Sequence, residues 1–122
     1  MNTLSLMDVV EAMENTRKEI RAARSNLKNR AQQKAITQAE YHKKRACTML
    51  GLLNGKQYDI EGEPTGKIVA TTALPIAKGI CWKESLERDF ADSEYKNVLV
   101  GLDSLKAELN SLQSIKKHLD EV

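Results

Sequence analysis

Apolar residues recur every seven positions near the end of this chain, and this repeat constrains the fold more than any other feature of the sequence. A seven-residue apolar repeat runs as one stripe along an α-helix and packs against another helix. The repeat predicts a long helix over about 81–120, with Lys116 as the one departure. We assign to an oligomer interface the apolar residues at its two heptad positions, Ala91, Tyr95, Val98, Leu102, Leu105, Leu109, Leu112 and Leu119.

A second long helix is predicted over about 5–53, because neither glycine nor proline occurs in the first fifty residues. Ser5 and Asp8 have the spacing of a capping box, in which each side chain accepts a hydrogen bond from the other residue's amide. Asn54-Gly55 predicts the end of this helix, since glycine readily adopts the left-handed conformation found there.

The apolar stripe of this first helix is weaker than that of the last. Up to residue 34 the predicted seam consists of Leu6, Met13, Ile20 and Leu27, with the charged residues Arg17 and Arg24 at alternate seam positions. Beyond residue 34 the stripe is predicted to shift to Ile36, Ala39, Ala46, Met49, Leu50 and Leu53. Such a change of phase predicts a bend or a new packing partner.

Residues 54–71 are predicted to connect the long helices, since three glycines and one proline lie here. The pattern is compatible with a small hairpin, in which 58–60 pairs with 68–70 around a turn at 63–66, and equally with an ordered loop. Both alternatives leave the connector short compared with the helices.

A short helix is predicted over 72–78, with Thr72 as its N-cap and Gly79 as its end. Together the elements predict an all-α fold class, a single helical domain over 1–122. Its architecture is a long helical hairpin or coiled coil with a short irregular or hairpin connector. The apolar stripes extend past what two antiparallel helices cover, so we expect a homo-oligomer, a dimer or higher.

Charge is distributed unevenly along the chain, although the net charge is only +2. Residues 14–45 contain ten lysines or arginines and three acids, whereas 56–122 contain nine bases and twelve acids. The candidate nucleic-acid-binding residues are the basic ones on one edge of the first helix and in a second patch, namely Arg17, Arg21, Arg24, Lys28, Lys43, Lys44 and Arg45. Two interpretations stay open. These cations bind phosphates, or they pair with acids of the last helix or of a second subunit.

The chemistry-bearing residues form no recognisable catalytic pattern. The sequence contains no P-loop, dinucleotide fingerprint, nucleophile elbow or zinc-protease motif, so we predict no enzymatic activity, no catalytic residue, no cofactor and no metal site. His42 and His118 are predicted to face solvent, and 40–45 is predicted to be a charged helix surface. Cys47 and Cys81 are predicted to be small buried packing residues, and Trp82 is predicted to fill the core or an interface.

We expect a cytoplasmic protein with reduced cysteines, because two cysteines are too few for a disulfide framework. The sequence shows no signal-peptide pattern. No apolar run approaches the roughly 20 residues of a membrane-spanning helix, so we expect no membrane partner. A phage-encoded chain would act in the cytoplasm of the host cell.

The segment Thr71–Tyr95 resembles the middle of small helical proteins of bacteriophages and prophages. A threonine-rich start, the turn Ala77-Lys78-Gly79, and Glu87-Arg88-Asp89 followed by Ala91 and Tyr95 carry the resemblance. Genes for such proteins tend to lie near phage recombination and single-strand-binding genes. The resemblance covers about a fifth of the chain. It implies a setting in phage DNA metabolism and carries over no functional residue.

Two functions from different classes are consistent with these features. The first is a non-enzymatic accessory protein of phage DNA replication or recombination that contacts nucleic acid through the basic first helix. The alternative is a coiled-coil interaction protein that binds and inhibits or modulates a host protein, such as a defence nuclease or a replication factor. Binding to DNA that weakens steeply with salt distinguishes the first from the second.

Overall fold

The computed structural model describes residues 5–121 and is an all-α helical hairpin, which confirms the predicted fold class. Two long helices, α1 (Leu6–Leu53) and α3 (Trp82–Asp120), pack against each other. Between them in the chain lie two short strands, β1 (Asp59–Ile60) and β2 (Glu63–Pro64), and a short helix, α2 (Ala70–Ile80).

The first turn of α1 contains the predicted capping box. Ser5 N donates a hydrogen bond to Asp8 Oδ2, and Asp8 N donates one to Ser5 Oγ, each at 3.2 Å. These two bonds satisfy amides that the start of a helix otherwise leaves without a partner. The capping residues therefore fix where α1 begins.

The other end of α1 is a Schellman motif built on Gly55, as the Asn54-Gly55 pair predicts. Gly55 has a φ of 85°, and its amide donates to Leu52 O at 3.1 Å. Lys56 N donates to Gly51 O at 2.8 Å. This pair of bonds satisfies carbonyls of the last turn and ends the helix.

From Val9 to Thr48 the buried face of α1 keeps the spacing of one heptad seam, and Leu52 lies one residue past the next seam position. The predicted shift of the stripe after residue 34 is therefore wrong. Ile36, Leu50 and Leu53 are exposed. The buried positions of this helix are Val9, Met13, Thr16, Ile20, Thr37, Tyr41, Thr48 and Leu52.

Three threonines explain why the apolar pattern alone misplaces this seam. Thr16 Oγ1 donates to the carbonyl of Ala12 at 2.9 Å, and Thr37 Oγ1 donates to that of Gln33 at 3.0 Å. Thr48 Oγ1 lies 3.7 Å from the sulfur of the buried residue Cys81. Because these hydroxyls find partners nearby, threonine can occupy buried positions where the sequence pattern looks for an apolar side chain.

The described chain divides into two compact units, whereas the sequence predicts a single domain over 1–122, whose residues 1–4 and 122 lie outside the described residues. Unit 1 contains residues 5–31 and 94–121, and unit 2 contains residues 32–93. The core of unit 1 includes Val9, Met13, Ile20 and Leu102. The core of unit 2 includes Tyr41, Leu52, Ala73, Ala77, Cys81 and Ala91. Helical hairpins separate in this way because each turn contacts only the turns opposite it.

A hairpin forms in the connector of unit 2, but its turn and second strand differ from the prediction. β1 and β2 pair in antiparallel register. The two-residue loop is Glu61-Gly62, whose φ angles are 51° and 86°. A loop of this kind requires positive φ at both positions, and glycine adopts it without strain. The turn therefore precedes the predicted 63–66, and 68–70 lies outside the sheet.

The short helix is longer than the predicted 72–78. Its N-cap is Val69, which forms no side-chain capping bond. Thr72 lies inside the helix, and its Oγ1 donates to Val69 O at 3.0 Å, so it is not the N-cap. Gly79 is helical as well and does not end the element, which continues to Ile80.

Cys81 forms the junction between α2 and α3. Its amide donates to Ala77 O, and its carbonyl accepts from Ser85 N, each at 3.0 Å. The residue is fully buried, as predicted. Cys47 is exposed, so the prediction that it is a buried packing residue is wrong. Trp82 is exposed as well, which excludes the core from its two predicted roles and leaves the interface role as a prediction.

Candidate nucleic-acid interface

A basic groove lies between α1 and α3 in unit 1. Its volume is about 480 Å³. The residues that line it are Arg17, Ile20, Arg21, Arg24, Lys106, Leu109 and Asn110. Four of these seven carry a positive charge and none is a carboxylate. Three of the four were selected from the sequence as candidate nucleic-acid-binding residues.

The heptad register explains why these cations share one groove. Arg17, Arg21 and Arg24 each follow a seam residue, so they occupy the same edge of α1. On α3, Lys106 and Asn110 likewise follow seam leucines. Antiparallel helices bring like edges together, which places the basic edge of α1 beside a basic and polar edge of α3. The apolar pattern of the sequence predicts that Arg17 and Arg24 lie in the seam. In the structure both are exposed, and the residue before each one, Thr16 and Ala23, lies in the seam instead.

Toward the start of α1, positive and negative side chains are mixed. A second groove of about 510 Å³ in unit 1 shares Arg17 and is lined by Val10, Met13, Arg17, Gln113, Lys116, Lys117, Asp120 and Glu121. Two acids here offset two of the three cations. Arg17 and Arg21 also line a shallower depression of about 240 Å³ with Glu14 and Lys18. The strongest positive charge is therefore at Arg21, Arg24 and Lys106.

The three arginines of the groove are not used in ion pairs inside the described chain. Within residues 5–121, the ion pairs that join α1 to α3 involve other cations: Arg30 with Glu94 at 3.4 Å, Lys34 with Asp92 at 3.0 Å, and Lys44 with Glu84. Structural pairing thus accounts for some bases of α1 and leaves the three arginines of the basic groove outside the ion pairs of the described residues. Lys28 is exposed on the same edge, one turn beyond the residues that line the groove.

The second predicted basic patch lies in unit 2 and is largely engaged within the chain. Lys44 Nζ forms an ion pair with Glu84 Oε1. This hydrogen bond raises the pKa of Lys44 and lowers the pKa of Glu84. The other carboxylate oxygen of Glu84 is buried and has no hydrogen-bond partner among the described residues. The Arg45 guanidinium lies 5.5 Å from the ring centre of Tyr41, and only Lys43 stays exposed without a contact of this kind.

The residues predicted to form an oligomer interface lie on the face of α3 that packs on α1. Ala91 and Leu102 are buried in the single chain, and the other six are half-buried: Tyr95, Val98, Leu105, Leu109, Leu112 and Leu119. The partner that covers this seam in the structure is α1 of the same chain. In the single chain, α1 therefore contacts the face of α3 that the heptad repeat assigns to an oligomer interface.

Sequence reasoning missed two contributors to these sites. Lys106 was counted only as part of an acidic half of the chain, although its position after a seam leucine places it in the groove. Tyr41 was placed on a charged surface, but it is buried under Arg88, which sits in the E-R-D segment of α3. The heptad register signals both positions once the seam of α1 is known.

Two other classes of site, a metal centre and a membrane-spanning helix, are absent from residues 5–121. No group of three or more His, Cys, Asp or Glu side chains there is arranged to hold a metal ion. None of the described helices is long and apolar enough to cross a membrane. His42 and His118 are both exposed, as predicted.

A comparison with protein-family models, with curated protein sequences and with solved structures finds no match for this chain.

Proposed function

We propose that this protein binds nucleic acid, without catalysing a reaction, as an accessory factor of phage DNA replication or recombination. The observation that carries the proposal is the basic groove of unit 1, where Arg17, Arg21, Arg24 and Lys106 meet without a carboxylate. Clustered cations neutralise phosphates and release counterions, which is the main source of sequence-independent affinity. The phage setting rests on the resemblance of 71–95.

The groove supports recognition of the sugar-phosphate backbone and not of individual bases. The described residues that line it include no aromatic side chain on which a base would stack. Its apolar floor is formed by Ile20 and Leu109. The protein is therefore expected to bind without sequence preference, and its affinity is set by salt.

The experiment is a titration of labelled single-stranded and double-stranded DNA, followed by fluorescence anisotropy. Four phosphate contacts predict that affinity falls about 50- to 150-fold between 50 and 200 mM salt. Binding with that dependence supports the proposal. If the folded chain binds neither DNA form at about 50 mM salt, the proposal fails and the alternative, a protein-interaction role, takes its place.

A further inference from the structure

An apolar surface on α3 in unit 2 is left exposed. Trp82, Leu86 and Phe90 lie on consecutive turns and are 61%, 62% and 65% exposed. They include the only tryptophan and the only phenylalanine of the chain. Single exposed apolar residues are ordinary, but three large ones in a row on one helix face mark an interaction surface. We call these three residues the α3 apolar surface.

The hairpin itself does not cover this surface. The side of α3 that faces α1 in unit 2 is marked by Ala91, which is buried, and by Glu84, which pairs with Lys44. At about 100° per residue, Leu86 lies roughly 140–160° around the helix from both. The α3 apolar surface therefore points away from α1.

We propose that a second copy of this chain covers the α3 apolar surface and forms an antiparallel twofold dimer centred on Leu86. Trp82 lies four residues before Leu86, and Phe90 lies four residues after it. Rotation by 180° about an axis through Leu86 brings Trp82 opposite Phe90 of the second copy. Leu86 then meets Leu86 of the second copy, so the pattern is complementary to itself.

The charges beside the α3 apolar surface have the same self-complementary order. Lys83 and Glu87 lie one turn apart on the same edge of the helix, on either side of Leu86. An antiparallel pair brings like edges together, so Lys83 approaches Glu87 of the second copy, and the symmetry repeats this ion pair. A parallel pair would bring opposite edges of the two helices together, so Lys83 would not approach Glu87 of the second copy.

The size of the surface determines how tight the dimer is. The three side chains offer on the order of 400 Å² per copy, which is about half of a standard protein–protein interface. The dimer is therefore weak, with dissociation in the micromolar range, and it must be measured over a wide span of protein concentrations. This interface also differs from the Ala91–Leu119 seam that the heptad repeat predicts.

Sedimentation velocity of the full chain from about 1 to 300 μM tests the proposal. The wild-type mass is expected to rise toward twice 13.7 kDa with concentration. Leu86→Glu is expected to stay monomeric throughout. Leu50→Glu is the matched control, because Leu50 is 61% exposed on α1, and this variant is expected to dimerise like the wild type.

A cross-link tests the twofold axis directly. In a Cys47→Ser background, Leu86→Cys places two thiols across the axis, and mild oxidation is expected to give a covalent dimer. Leu50→Cys in the same background is expected to remain monomeric under the same conditions. Circular dichroism of each variant verifies that the helices are intact.

Three results would overturn the proposal: a wild-type monomer over the whole range, a Leu86→Glu variant that still dimerises, or equal cross-linking at positions 50 and 86. The proposal is independent of DNA binding. Leu86→Glu leaves the basic groove of unit 1 unchanged, so a failure of dimerisation and a failure of DNA binding are distinguishable in the same set of variants.

Discussion

The guanidinium carbon of Arg88 lies 4.2 Å from the ring centre of Tyr41, a contact that joins α3 to α1 in unit 2. Tyr41 is buried although the next three residues of α1 are exposed. The Arg88 side chain also donates to Asp89 Oδ1, at 3.3 Å, which holds its planar group near the ring. A buried aromatic ring under a guanidinium contributes both apolar burial and a cation–π attraction.

Tyr41→Ala is expected to lower the free energy of unfolding by about 3–5 kcal/mol, because it removes a large buried ring. Tyr41→Phe keeps the ring and its contact with Arg88, so its loss should stay below about 1 kcal/mol. Urea denaturation followed by circular dichroism measures both values. Equal losses in the two variants would show that the hydroxyl, and not the ring, is what matters.

The heptad register of α1 is tested by two adjacent positions. Thr37 is 6% exposed and Ile36 is 50% exposed. Thr37→Asp puts a charge in a buried position and is expected to cost more than about 2 kcal/mol, whereas Ile36→Asp should cost less than about 1 kcal/mol. Urea midpoints of the two variants give the comparison. A larger loss at Ile36 would restore the phase change that the apolar pattern predicts.

Much of the fold is predictable from the sequence because its strongest signals are local. The capping box at Ser5, the glycine at position 55 and the leucine heptad of α3 each act within one or two turns. The seam of α1 beyond residue 34 is different, since it includes two buried threonines. The Thr37 hydroxyl donates to a carbonyl of the helix itself, and the Thr48 hydroxyl lies against Cys81 Sγ. A prediction based on apolar residues alone overlooks buried threonines. It therefore assigns the seam to Ile36 and Leu50, which are exposed in the structure.

Two helical glycines, Gly101 in α3 and Gly51 in α1, are expected to respond oppositely to substitution by alanine. A Cβ at Gly101 meets no atom within 4 Å, so Gly101→Ala should stabilise the chain by about 0.5–1 kcal/mol through helix propensity. A Cβ at Gly51 falls 2.6 Å from the Tyr58 hydroxyl, so Gly51→Ala should destabilise it. Thermal unfolding of both variants provides the measurement. Destabilisation by Gly101→Ala would reveal a close neighbour that the single chain does not contain.

The Lys44–Glu84 ion pair predicts a stability difference that depends on pH. The hydrogen bond lowers the folded-state pKa of Glu84, so its contribution is present above about pH 4.3, the unfolded value, and is lost as pH falls through the folded pKa. The same hydrogen bond raises the folded-state pKa of Lys44. The contribution of Lys44 to stability is therefore present below about pH 10.4, its unfolded value, and is lost as pH rises through its folded-state pKa. The window of stabilisation therefore covers neutral pH.

Glu84→Gln is expected to cost about 0.2–1 kcal/mol at pH 7, a small value because Lys44 is half exposed and solvent screens the pair. The difference from wild type should shrink at pH 3. Glu121→Gln, at an exposed position without an ion pair among the described residues, serves as the control. A wild-type advantage that grows toward acid pH would contradict the assignment.

The candidate site was only partly predictable. Arg17, Arg21 and Arg24 stand out because their spacing puts them on one edge of a helix. Lys106 does not, because its part of the chain is acidic on average and only the antiparallel pairing of α1 with α3 brings it to the same groove. The engagement of Lys44 within unit 2 depends on Glu84, forty positions away in the chain, which composition does not reveal. The contact of Arg45 with Tyr41, four positions before it, becomes visible only once the seam of α1 is known.

The salt dependence of DNA affinity in a groove variant tests whether the basic groove of unit 1 binds phosphates. Arg21→Gln combined with Arg24→Gln removes two cations from the groove, and Lys67→Gln combined with Lys78→Gln removes two exposed cations from unit 2. We expect the slope of log K against log salt to become shallower by about 1.4–1.8 in the groove variant and to stay unchanged in the control. Equal slopes in the two variants would contradict phosphate binding by the groove.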